Sequence, residues 1–168
     1  METAVILVGH GTPATDCPPE LVGELMSLEW RASGDGTGTA RIKQRTEELD
    51  AKIRNWPRHA RNDPYKAGLE RLADTLRPLL PDTPVLIAYN EFCRPAIAEA
   101  IAQAVAQGAA RVLAIPTMVT PGGVHSERDI PGALADARRA HPGVAIDYVW
   151  PFDLRCVAEL FAAHVRRA

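Results

Sequence analysis

Residues 3–8, Thr-Ala-Val-Ile-Leu-Val, form an unbroken apolar run that stops at Gly9-His10-Gly11. A run this short, ended by glycine, reads as a β-strand buried on both faces rather than as a helix. Two further runs share the character, Pro84 to Ala88 and Arg111 to Pro116, and a fourth, Val144 to Val149, partly alternates. Strands of this kind need covering helices, and helical patterns lie between and after them. Asp63-Pro64 offers an N-cap with Pro at the first position, followed by the stripe Tyr65, Leu69, Leu72, Leu76 and Leu79. Pro95 opens a second helix with Ile97, Ile101 and Val105 inward and Gly108 as its stop. Ile130 to Arg139 makes a third, and Asp153 caps a last one carrying Leu154, Val157, Phe161 and Val165. The alternation predicts an α/β fold: a doubly wound, mainly parallel four-stranded sheet in the order 2-1-3-4, with helices on both faces.

One stretch breaks the alternation. About 14–62 intervenes between the first strand and the Asp63 helix, too long for a bare loop, and is expected to be a helical insertion in a single domain spanning 1–168. It suggests a helix near 19–30 and a better one near 40–55, where Ile42, Leu49, Ile53 and Trp56 follow a stripe. Ser33 to Thr39, rich in glycine, reads as a flexible linker. Its Gly-x-Gly-x-Gly follows no apolar strand, and no GxxxxGK[ST] occurs, which argues against a nucleotide site.

Composition excludes other classes. With 168 residues and 46% hydrophobic content the chain can bury a sizeable core. A net charge of −2 argues against a nucleic-acid partner. No apolar run approaches the roughly 20 residues of a membrane span, and the N-terminus lacks the basic flank of a signal peptide. Cys17, Cys93 and Cys156 are too widely spaced for a zinc ribbon or a disulfide framework. A reduced, cytoplasmic protein is expected.

In open parallel sheets, ligands bind beyond the carboxyl ends of the strands. Those ends carry Gly9-His10-Gly11-Thr12, Tyr89-Asn90-Glu91, and Met118 through Gly122, Gly123, His125 and Arg128 to Asp129. A histidine after a strand is most often a hydrogen-bonded loop residue, and Glu91 alone could cap the helix near Pro95. Their convergence on one rim favours a site. Two imidazoles and a carboxylate suit a borderline divalent ion with exchangeable positions, and neutral imidazole can also accept protons. Other residues take plainer readings. Trp30 and Trp56 pack the insertion onto the domain, His59 lies at the surface, and His141 and His164 are structural. Cys93 is a buried thiol, and Met118 belongs to the core or the pocket wall.

The pieces Leu7-Val-Gly-His-Gly-Thr12, Ala88-Tyr-Asn-Glu91 followed by Pro95, Gln107 to Pro116, Gly123-Val-His125 and Asp129-Ile-Pro131 together resemble the class II chelatases of tetrapyrrole biosynthesis, in particular the short CbiX type. The resemblance covers about 3–13 and 63–153. It implies insertion of a divalent metal (Co²⁺, Fe²⁺ or Ni²⁺) into a tetrapyrrole such as sirohydrochlorin, with no organic cofactor. His10, Glu91 and His125 are then the catalytic and metal-binding residues. Gly11, Thr12, Tyr89, Gly122, Gly123 and Arg128 are the substrate contacts, and a one-lobe chain is expected to dimerise. The alternatives are a non-catalytic tetrapyrrole or metal carrier using the same rim, and a protoporphyrin ferrochelatase.

Two departures stand out. Asn90 occupies a place where an apolar residue is more usual, and the insertion is absent from the short enzymes. Residues 41–61 carry +4. Arg41, Lys43, Arg45, Arg58 and Arg61 are therefore candidates to attract a polycarboxylate, against the plainer reading of a solvated helix face.

Overall fold

The computed structural model describes residues 2–35 and 40–168. Strand β1 (Thr3–Gly9) is central, between β2 (Val85–Tyr89) and β3 (Arg111–Pro116), and β4 (Ala145–Tyr148) lies beyond β3. The order β2-β1-β3-β4 and the parallel pairing throughout are those the alternation predicts. Leu7 registers with Ile87 on one side and Ile115 on the other. Residues Ala4 to Gly9 are all buried, which is why β1 reads as a continuous apolar run.

Alternation along β1 sends Ala4, Ile6 and Val8 to one face and Val5 and Leu7 to the other. The first face is covered by α4 (Ile97–Ala106) and α5 (Ile130–Ala140), through Ile97, Ile101, Ile130 and Leu134. Each such buried aliphatic side chain contributes about 1.5–3 kcal/mol. The second face is covered by α3 (Pro64–Leu76), through Leu69 and Ala73. Asp63 caps α3 as expected, accepting from Lys66 N at 2.8 Å. The stripe is narrower than predicted: Leu72 and Leu79 are exposed. The helix stops at Leu76, and a single 3₁₀ turn, Arg77–Leu79, follows around Pro78.

The insertion forms two helices, α1 (Pro19–Asp35) and α2 (Ala40–Arg54). Of the expected linker, 33–35 close α1, and 36–39 lie outside the described residues. Leu25, Leu49 and Ile53 make a third core cluster, into which Phe92 inserts from the loop after β2. Trp56 packs against this cluster, donating Nε1–H to Asp16 at 3.0 Å. Trp30 does not. It is 82% exposed, because the stripe that seats α1 runs through Leu21, Leu25 and Leu28.

The last helix, α6 (Leu154–Val165), begins at the expected cap, Asp153, which accepts from Arg155 N at 2.8 Å. Its stripe, however, faces outward. Leu154, Phe161 and Val165 are exposed and no α6 residue is buried, since the helix packs extensively against no other element.

Candidate metal centre

The loops after the strands are tied to one another. Asn90 N–H donates to Gly9 O and Glu91 N–H to His10 O, both at 2.9 Å, while Thr117 N–H donates to Val8 O at 2.9 Å. Glu91 is thereby brought beside His10. Gly11 sits at φ +90°, and a β-carbon there would lie 2.0 Å from Glu91 O, so only glycine allows this approach. His10 N–H donates to the Tyr65 hydroxyl at 2.7 Å, tying the loop to α3.

His125 comes from the segment after β3. It starts a single π-helical turn, His125–Asp129, that leads into α5. Such wide turns recur at functional sites. The turn is held from β4 and the segment just after it: Tyr148 O–H donates to Ser126 O at 3.0 Å, and Trp150 Nε1–H donates to Glu127 at 3.2 Å. Burial pushes the Tyr148 phenol up to about 12, so it remains a donor through the neutral range.

The ligand atoms of His10, Glu91 and His125 all lie within 4.8 Å of one another. The two imidazole rings meet edge-on, with centroids 4.5 Å apart and planes at 88°. Donors sharing one ion at about 2.0–2.2 Å each cannot be more than about 4.4 Å apart. Small side-chain rotations therefore suffice to close the set on a metal. His10 Nδ1 is 2.6 Å from Gly11 O. A carbonyl only accepts, so Nδ1 carries the hydrogen and Nε2 keeps the lone pair. His125 Nδ1 lies 2.8 Å from Asp129 Oδ2, 3.0 Å from the Asn90 amide and 3.5 Å from Glu91 Oε1. With a donor and acceptors in reach, that nitrogen has a partner whether or not it bears a proton.

Beside this set lies a cavity of about 480 Å³ whose wall includes Glu29, Asp50, Arg54, Glu91, Arg128 and Asp129. The Glu29 carboxyl is pushed above its ordinary value by burial, reinforced by the charges of Glu91 and Asp50 and opposed by Arg54.

The predicted substrate contacts divide. Gly11 and Thr12 are at the rim, and Arg128 is exposed there, paired with Asp129 at 3.0 Å. Gly122 and Gly123 lie in the His125 loop, where both backbones bond Glu127. Tyr89 is not at the surface. The last residue of β2 turns its side chain into the α3 face, where it is fully buried, and burial raises its phenol well above the usual range.

Two of the five proposed cations of the insertion, Arg58 and Arg45, are engaged by acidic partners within the chain. Arg58 is buried, paired with Asp63 at 2.5 Å, and donates to Thr12 O at 2.8 Å and to Phe92 O. Arg45 pairs with Glu24 at 2.7 Å. His59 is at the surface, its ring accepting from Asn62 N–H at 3.2 Å. Cys93 is buried, with its thiol pushed up by that burial. Met118 packs on the core. Sequence reasoning gave no role to Asp129, although its position four residues after His125 places it on the same face. It also passed over Arg54 and Glu29, whose partners are remote in sequence.

Fold and site together define a doubly wound α/β protein with a His/His/Glu cluster at the carboxyl edge of its sheet. The CbiX family profile matches residues 59–168, and the chain belongs to that family. The match begins after His10, which joins the other two residues by geometry. No curated protein matches significantly. Among solved structures, a protein of Marinobacter aquaeolei VT8 described as a CbiX protein of cobalamin (vitamin B12) biosynthesis has the same fold, at 16% identity and TM-score 0.50, with 99% of each chain covered. The sirohydrochlorin chelatase SirB from Bacillus subtilis subspecies spizizenii, in complex with cobalt, is 18% identical, with TM-score 0.47 over 90% of this chain. SirB from Bacillus subtilis with Fe³⁺ is 19% identical, with TM-score 0.45 over 88% of this chain. This chain spans 44% and 39% of those two SirB chains.

Proposed function

We propose that this protein is a metal chelatase that inserts a divalent ion, cobalt, iron or nickel, into a tetrapyrrole such as sirohydrochlorin. The observation that carries the reading is the convergence of the His10, Glu91 and His125 ligand atoms within 4.8 Å. In this mechanism the ion, as substrate, binds the two imidazoles and the Glu91 carboxylate and sheds part of its water. A macrocycle settling over the rim offers its ring nitrogens. As the ion moves to them, the imidazole lone pairs it leaves are the bases nearest the pyrrole N–H groups. One ion passes to the ring and two protons come back, so charge at the site stays balanced. Asp129 then holds the protonated His125 ring, accepting from Nδ1–H.

The test is an absorbance assay of metal insertion that crosses sirohydrochlorin and protoporphyrin with Co²⁺, Fe²⁺ and Ni²⁺. Turnover with the polycarboxylate sirohydrochlorin is expected. Insertion into protoporphyrin alone would assign a ferrochelatase, and stoichiometric binding without insertion would assign a carrier.

We further infer a homodimer. A sheet of this class needs both faces covered, yet α6 presents Leu160, Phe161 and Val165 to solvent. A second copy is the occupant that would bury them. Among the described residues no helix is long and apolar enough to cross a membrane, and the free cysteines fit a reducing compartment such as the cytoplasm.

A further inference from the structure

Arg54 ends α2, and its side chain, 17% exposed, makes four hydrogen bonds. Nε–H is shared between the two Asp50 carboxylate oxygens, each at 2.8 Å. Nη1–H donates to Cys93 O and Nη2–H to Asn90 O, both at 2.9 Å. An i,i+4 pair with Asp50 alone would be an ordinary helix-surface pair. The two carbonyls make it different, because they bracket Glu91 and Phe92. Phe92 holds the sparsely populated left-handed backbone, φ 54°, that turns the chain back beneath Glu91. The planar guanidinium fork spans that turn with Asp50 as its anchor. The length of the fork and the fixed angle between its N–H groups set how far apart the two carbonyls sit.

We propose that Arg54 is a positioning residue for Glu91: the α2 end of the insertion fixes the loop that presents the carboxylate to the metal. The insertion is then a buttress of the centre. This rests on the reading of His10, Glu91 and His125 as the metal site. Geometry and charge make opposite demands here. If Arg54 acted only through its positive charge near the cavity, its loss would tighten binding of a divalent cation. If it positions Glu91, its loss weakens that binding, and a lysine that keeps the charge but lacks the fork fails as well.

The experiment titrates Co²⁺ into the full-length protein, following the visible cobalt absorption. The variants are Arg54→Lys, Arg54→Gln, Glu91→Gln and the double variant Arg54→Lys/Glu91→Gln, with a thermal melt of each. Groups that orient a metal ligand typically contribute 10–100-fold in affinity. Arg54→Lys and Arg54→Gln should each weaken Co²⁺ about tenfold, at the low end of that range, and alter the band shape. In the Glu91→Gln background the Arg54→Lys change should be nearly silent, because the carboxylate it positions is gone. Unchanged or tighter binding in Arg54→Gln overturns the proposal, as does an Arg54→Lys effect of full size in the Glu91→Gln background. A non-cooperative melt of Arg54→Lys would assign the residue to the fold instead. If Glu91→Gln itself binds Co²⁺ like the wild type, the metal centre has been misread, and the proposal falls with it.

Discussion

At the scale of single residues, Glu29 shows how the site strains its surroundings. The residue is exposed at the cavity wall, yet partial desolvation and the negative charges of Glu91 and Asp50 outweigh Arg54 and hold its carboxyl above the ordinary 4.5. A raised carboxyl binds more protons folded than unfolded, so its contribution to stability is intact below 4.5 and is lost as pH rises through the folded value. Glu29→Gln should therefore melt higher than the wild type at neutral pH, with the difference closing in acid below the ordinary glutamate range. A difference that grew as pH fell would reverse the sign of the argument. His10, Glu91 and His125 were legible because each follows a strand end within two residues or sits in the loop beyond one. Asp129 was legible in spacing though not in role. Tyr89 was misread because the period-two alternation of β2 turns its side chain to the α3 face, away from the rim.

At the scale of elements, the strands and their order follow from apolar runs and capping signals, which are local. The placement of the insertion is not local. Arg58 looked like one member of a basic surface stretch, but its partners are Asp63, Thr12 and Phe92, the last two 46 and 34 residues away. It joins the loop after β1, the loop after β2 and the start of α3. A buried guanidinium so paired is a structural tie, and removing one partner of such a pair costs about 3–5 kcal/mol. Arg58→Ala should lower the unfolding free energy by that much in denaturant titration. An unperturbed midpoint would return Arg58 to the role of a substrate-steering surface cation.

At the scale of the whole molecule, the outward stripe of α6 has the pattern of a core helix without a core, which no reading of one chain's periodicity can distinguish from an inward stripe. Light scattering should give twice the 18.2 kDa chain mass, and Leu160→Glu combined with Phe161→Glu should give the single-chain mass. A wild-type monomer across a wide concentration range would count against the dimer. The central claim is that His10, Glu91 and His125 together deliver a metal ion to a tetrapyrrole ring catalytically. The most direct measurement is the amount of cobalt-sirohydrochlorin formed, by absorbance, with both Co²⁺ and macrocycle in large excess over the protein. The wild type should form many equivalents of product per chain, with His10→Ala and His125→Ala folded but reduced nearly to the uncatalysed rate. Product that stops at one equivalent, or turnover that survives both histidine substitutions, would contradict it.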